Sequence, residues 1–340
     1  MIPTIEWTDA GIRILDQTRL PAEEKTLELR DLESICEAIA SLRVRGAPAI
    51  GIAGAYGVAW MARQATGERR FDEHIEAAAQ TLRTVRPTAV NLAWAVDRTM
   101  KRLRETRRQG GSPEEAAASA LTEAQAILEE DLEASRRMGR AGVAILERGC
   151  RVLTHCNAGG LATGGLGTAL AVIYEAARTG LDPHVYASET RPLLQGARLT
   201  AWEMVREKIR VTVVVDGARA WLMETRGVDV VLTGADRVAA NGDAANKIGT
   251  LDAAILAARH GVPFYIVAPG STFDFSVPSG REIPVELRAA AELRRLGEHH
   301  LAPEGAEVWN PAFDVTPASL ISGWITERGI LQPPFDALRD

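Results

Sequence analysis

The chain has 340 residues, 46% hydrophobic and 25% charged, which is the balance of a soluble globular enzyme long enough for two cores. A net charge of -6 provides no global basic field for nucleic acid, and the uncharged, Ala- and Gly-rich run 46–62 is shorter than the ~20 residues that span a bilayer. Three cysteines (Cys36, Cys150, Cys156), odd in number and without metal-ligand spacing, argue against a disulfide scaffold or a metal site and suit a reducing cytoplasm.

The chain begins without the basic region and apolar core of a signal peptide, so a cytoplasmic location is expected. A short β start covers 5–15. Apolar spacing then predicts helices at 31–42, 48–65, 71–84, 91–107 and 113–148. Pro48 suits a first helical turn, and Gly110-Gly111-Ser112-Pro113 reads as a linker followed by a helix start. The 46–62 run is rich in Ala and Gly and reads as a buried, closely packed helix. The Arg-rich stretch 101–108 reads as a solvated helix face.

From residue 150 the pattern changes to short β-branched runs at 151–155, 184–188, 211–215, 228–232 and 263–267. Helix-length segments at 163–179, 197–208, 218–225 and 246–260 separate them. This alternation predicts a parallel sheet. The tail from about 270 reads as loops with a last short strand and helix. The expected architecture is α/β: a small, mainly helical N-terminal domain (1–130) plus a Rossmann-like C-terminal domain with a parallel sheet (131–340), linked by the helix at 113–148.

In such a sheet ligands bind beyond the carboxyl ends of the strands, and each run here ends in polar or turn-forming residues. The first ends at Cys156-Asn157, ahead of glycines at 159, 160, 164, 165 and 167 whose amides could hold an anion or lower a thiol pKa. The fourth ends at Gly234-Ala235-Asp236-Arg237. A carboxyl in a partly desolvated crevice there can serve as a general acid or base, and a helix cap or salt bridge is the plainer alternative. Arg191 and Gln195 follow the second strand, with a guanidinium and an amide suited to phosphate or sugar hydroxyls. Asn246 and Lys247 are expected at a helix start, beside exposed amides that suit phosphate. Arg45, Gly46 and Ala47 lead into a helix start, a cation with free amides, and Arg86 repeats the theme before Asn91. Asn241-Gly242-Asp243 reads as a turn. His155 alternates with Cys156 along the strand and reads as structural rather than as its base. The glycines after Cys156 do not match the dinucleotide fingerprint, which points away from NAD.

Several blocks carry a further resemblance: RGAPAIG (45–51), RPTAVNL (86–92), THCNAGGLATGGLGTAL (154–170), ETRPLLQGARLTAWEM (189–204) and GADRVAANGDAANKIGT (234–250). With LDQTRLP (15–21) and NPAFDVTP (310–317), they extend over nearly the whole chain. The sequence resembles the methylthioribose-1-phosphate isomerase family, aldose-ketose isomerases of methionine salvage. Ribose-1,5-bisphosphate isomerase and the regulatory subunits of the eukaryotic initiation-factor exchange complex share that fold. The resemblance implies Cys156 and Asp236 as the catalytic pair, and Arg45, Gly46, Ala47, Arg86, Gln195, Asn246 and Lys247 as substrate contacts. It also implies a sugar-phosphate substrate, no cofactor or metal, no nucleic-acid or membrane partner, and a homodimer. Gly160 stands where the family pattern has Ala, and Leu166 and Leu251 where it has Tyr; these differences bear on substrate preference.

Overall fold

A computed structural model describes residues 4–86 and 90–333. The chain divides into two compact units, Met1–Ala134 with Gly159–Gly167, and Ser135–Ala158 with Thr168–Asp340.

The first unit opens on an antiparallel sheet of β1 (Ile5–Trp7), β2 (Ile12–Leu15) and β3 (Thr26–Leu29), in that order. β3 lies beyond the expected β start because two apolar residues in Thr-Leu-Glu-Leu are too short a signal. Its pairing with β2 sets Ile12 opposite Leu29 and Ile14 opposite Leu27. Five helices follow: α1 (Leu32–Ala40), α2 (Ala47–Gln64), α3 (Phe71–Thr84), α4 (Val90–Arg108) and α5 (Pro113–Gly142). α5 starts at Pro113 on a reciprocal cap: the Ser112 hydroxyl accepts from Glu115 N at 3.2 Å, and Glu115 Oε2 accepts from Ser112 N at 2.7 Å.

α2 is buried from Ala49 to Ala62, as the Ala- and Gly-rich run implied. Small residues let α4 pack close, since a Cβ at Gly54 would stand 2.5 Å from Leu92 Cδ1. Among the described residues no helix is long and apolar enough to cross a membrane. The Arg-rich end of α4 is a solvated, ion-paired face, with Arg104 on Glu76 and Arg107 on Asp72.

The second unit alternates strand and helix: β4 (Arg151–Thr154), α6 (Ala169–Arg178), β5 (His184–Ser188), α7 (Ala201–Arg206), β6 (Arg210–Val214), α8 (Arg219–Thr225) and β7 (Val230–Thr233). There follow β8 (Arg237–Ala239), β9 (Ala244–Lys247), α9 (Thr250–His260), β10 (Phe264–Val267), β11 (Phe273–Asp274) and α10 (Ala291–Arg294). The last strands are β12 (Arg295–Leu296), β13 (His299–His300), β14 (Phe313–Thr316), β15 (Gly323–Thr326) and β16 (Gly329–Leu331). The main sheet has the order β6-β5-β4-β7-β10-β15-β16. It is parallel from β6 through β15, and only β16 runs antiparallel. Numbered by appearance, its parallel strands run 3-2-1-4-5-6, the order of dinucleotide-binding folds, whose direction of winding reverses between the first and fourth. Here that switch point falls between β4 and β7. Leu153, Tyr186, Val231, Phe264, Ile266 and Trp324 lie in the core around the sheet.

Three expected helices start late. α6 begins at Ala169 rather than 163, because the Thr163 hydroxyl takes the amides of Gly165 and Gly167 (3.2 and 2.8 Å) that a helix would need. The segment expected as helix from 197 opens as a π-helical turn, Gly196–Thr200, before α7. α9 begins at Thr250 rather than 246. The tail holds more strand than expected, and β8 and β9 join β11 and β14 in a second sheet of order β11-β8-β9-β14. The turn at 241–243 is as expected: Gly242 has φ +87, and Asn241 Oδ1 accepts from Asp243 N at 3.1 Å.

Candidate active site

Cys156 follows the end of β4 and is partly buried. Its φ is +62, the left-handed region that few non-glycine residues occupy. Two hydroxyls hold the backbone there. Cys156 N donates to Thr190 Oγ1 at 2.8 Å, and Thr200 Oγ1 donates to the Cys156 carbonyl at 2.7 Å. Thr190 is itself left-handed, φ +67. Its hydroxyl donates to Ser188 O at 2.9 Å, and the amides of Thr190 and Arg191 donate to the Asp216 carboxylate at 3.0 and 2.8 Å.

His155 is 1% exposed. Its Nε2 lies 2.8 Å from Ile248 O, which fixes the proton on Nε2, and Nδ1 lies 3.4 Å from Arg219 Nη1. Burial, then the Arg219 cation, holds its pKa down to about 4, so the ring is neutral at physiological pH. It ties β4 to the segment before α9, the structural role its position in the strand implied.

The chain leaves this unit after Ala158 and returns at Thr168, closed by Thr168 N and Leu170 N donating to Ala158 O at 2.8 and 3.2 Å. The loop in between belongs to the first unit. Its amides are largely committed rather than free for an anion: Ala162 N and Thr163 N bond to Gly159 O and Gly160 O, and Gly164 N to Asp131 Oδ2 at 2.7 Å.

β7 pairs with β4 (Leu232 with Thr154), and a Cβ at Gly234 would stand 3.1 Å from Ala158 Cβ. The ends of these two strands are therefore held together at the switch point. Asp236 follows β7 with its amide bonded to Ala245 O at 2.9 Å. Its residue is exposed, in contrast to the desolvated carboxyl expected at this strand end.

Gln195 is 6% exposed, and its Oε1 is buried without a hydrogen-bond partner among the described residues. An orphaned buried acceptor is costly, and a ligand donor would satisfy it. Gly196 beside it is obligatory, because a Cβ there would stand 1.7 Å from Ser188 O. π-helical turns are frequent at functional sites. Arg191 spends its guanidinium on the carbonyls of Pro192 and Leu293, at 3.0 and 3.3 Å.

Asn246 and Lys247 stand at the end of β9, not at a helix start. Asn246 Nδ2 donates to Thr250 Oγ1 at 2.9 Å, and Lys247 Nζ lies 4.7 Å from the centre of the Phe313 ring. The α9 amides expected beside them are occupied: Asp314 accepts from Gly249 N at 2.7 Å and Leu251 N at 3.0 Å. Burial raises the Asp314 pKa.

Within the first unit, Gly46 caps α2 at φ +90, where a Cβ would lie 2.3 Å from Ala162 O. No side chain caps this helix, so the amides of its first turn, apart from Pro48, which has no N–H, retain an anion-binding character. Arg86 is partly buried beyond α3, and residues 87–89 of its motif lie outside the described residues. Thr190, Thr200, Asp216 and Asp314 escaped the sequence reading as site residues. Asp216 had the position of a strand end, but its partners are amides far along the chain.

Strand order and switch point define a Rossmann-like α/β protein, with Cys156 after β4 and Asp236 after β7 as candidate site residues. A model of the initiation factor 2 subunit family matches residues 43–333, and the chain belongs to that family. Two curated relatives are isomerases by name. The chain is 50% identical to methylthioribose-1-phosphate isomerase of Pelotomaculum thermopropionicum over 342 residues, 99% of this chain and 93% of the relative. It is 52% identical to that of Desulforamulus reducens, covering 97% and 96%. The crystal structure of 5-methylthioribose 1-phosphate isomerase from Pyrococcus horikoshii is 41% identical, with a TM-score of 0.93 over 100% of this chain and 95% of the other. A structure described as translation initiation factor eIF-2B, subunit delta, from A. fulgidus is also 41% identical, with a TM-score of 0.91 and full coverage of both.

Proposed function

We propose that the protein is an aldose-ketose isomerase that converts 5-methylthioribose 1-phosphate to 5-methylthioribulose 1-phosphate in methionine salvage. The observation that carries the reading is the strand order: β4 and β7, which lead to Cys156 and Asp236, flank the switch point of the sheet.

The anomeric carbon of a sugar 1-phosphate is blocked, so no free aldehyde forms and ordinary enediol chemistry cannot start. In the proposed reaction protonated Asp236 donates to the ring oxygen and the bond from C1 to that oxygen breaks. Cys156, as thiolate, removes the C2 proton and a C1–C2 enol forms. A proton then returns to C1, the C2 hydroxyl gives up its own, and the ketone results. Hydrogen moves only within the substrate and its proton carriers, so no net oxidant or cofactor is needed. Asp236 is exposed, and bound substrate would exclude water around its carboxyl. Gln195, Asn246 and Lys247 are proposed substrate contacts, with the orphaned Gln195 Oε1 supporting the first. Arg45, Gly46, Ala47 and Arg86 are proposed contacts on the strength of the anion-binding end of α2 and the motif resemblance. A homodimer is proposed on the same resemblance.

The test is turnover of 5-methylthioribose 1-phosphate beside 5-deoxyribose 1-phosphate and ribose 1,5-bisphosphate. The highest kcat/KM is expected for the first, and no turnover of any would sink the reading. Solvent deuterium at C1 of the product is expected for proton transfer; a direct hydride shift from C2 to C1 leaves none.

A further inference from the structure

The proposed reaction uses the Cys156 thiol, but what aims it is a backbone conformation that an ordinary strand end does not supply. At φ +62, Cys156 leaves the alternation of β4, so its side chain no longer takes the direction the pleat would give it. The peptide groups on both sides are tied by hydroxyls from outside the strand. Thr190 Oγ1 accepts from the Cys156 amide at 2.8 Å, and Thr200 Oγ1 donates to its carbonyl at 2.7 Å.

Both hydroxyls are themselves fixed. Thr190 is fully buried and left-handed, and it spends its proton on Ser188 O at 2.9 Å. Thr200, also fully buried, ends the π-helical turn that Gly196 brings against Ser188, and it accepts from Asn157 Nδ2 at 3.2 Å. Each hydroxyl thus has one bond to the Cys156 backbone and another to a neighbouring group. Packing alone would need only the threonine methyl groups.

We infer that Thr190 and Thr200 are positioning residues that clamp the Cys156 backbone in its left-handed conformation and so set the direction of its thiol. Neither touches the substrate. The inference rests on the isomerase reading for its kinetic readout, and a second readout is independent of that reading.

The experiment compares Thr200→Val, Thr200→Ser, Thr190→Val and Thr190→Ser with the parent chain. One readout is kcat and KM. The other is the rate at which iodoacetamide alkylates Cys156, followed by peptide mass spectrometry with Cys36 as the internal control. Each valine variant is expected to lose about tenfold to a hundredfold in kcat, the scale of a misplaced reacting group, with little change in KM. Alkylation of Cys156 changes while that of Cys36 does not, and both serine variants restore the parent values. If the valine variants keep parental kcat and parental Cys156 alkylation, the inference is overturned. If a valine variant does not fold, its serine counterpart decides: a folded serine variant with reduced kcat assigns the effect to the lost methyl and overturns the clamp. If the parent turns over no sugar phosphate yet Cys156 alkylation responds to the valines and recovers with the serines, the isomerase reading falls and the clamp stands.

Discussion

Cys156 is held in a backbone region that costs a non-glycine residue roughly 1–3 kcal/mol, and such strain persists only where surrounding bonds over-determine it. Thr190 at φ +67 and Leu194 at φ +56 stand in the same state on the neighbouring strand end. Leu42, Asp182 and Lys208 adopt the same conformation elsewhere in the chain. The chemistry assigned to the pair gives a direct expectation: Cys156→Ser and Asp236→Asn each lower kcat by ~10²–10⁴, the range of general acid–base catalysis. Near-parental turnover in a steady-state assay of either variant would remove that residue from its role. His155, beside the thiol, is bonded through Nε2 to Ile248 O and turns Nδ1 toward Arg219 and the Thr190 hydroxyl, which supports a structural role for it.

Among the elements, the turn 196–200 and the glycine loop 159–167 are each held by specific contacts within their own unit. A methyl group at Gly196 would collide with Ser188 O, a backbone atom that cannot swing away. Gly196→Ala is expected to destabilise the fold by about 1–3 kcal/mol, the usual range for overpacking, read as a lowered urea midpoint. The glycine loop is anchored by Asp131, whose pKa burial pushes up to about 6 against the opposing hydrogen bond from Gly164 N. A raised native pKa means the folded state holds the proton more tightly than the unfolded chain. That stabilisation is full below the ordinary Asp value and is lost as pH rises through about 6. Asp131→Asn keeps a neutral acceptor for Gly164 N at every pH. The Tm of the variant minus that of the parent is expected to increase from about pH 4.5 to about pH 7.5. A difference that shrinks over this range would contradict the assignment.

For the molecule as a whole, fold does not decide activity. The two solved relatives at 41% identity share the architecture and are described by different names, an isomerase and an initiation-factor subunit. Function lies in the site rather than the fold, and the proposed site residues are Cys156 and Asp236, beyond the strands that flank the switch point. The proposed homodimer predicts twice the chain mass by light scattering, and the mass of a single chain would exclude it.

The sequence alone determined the α/β class, the helical first part, the parallel strands to within a few residues, and the positions of Cys156 and Asp236 at strand ends. These follow from local periodicity and punctuation, which act over a few residues. Tertiary structure alone decided the order 3-2-1-4-5-6, which brings β7 beside β4, and the second sheet, in which β9 pairs with β14 from far along the chain. It also decided which amides are free. The loop after Cys156 and the start of α9 both read as open anion sites, but Thr163, Asp131 and Asp314 occupy their amides. The threonine clamp on Cys156 is of the same kind: hydrogen bonds from residues 34 and 44 positions away, set by the fold and carrying no local signature.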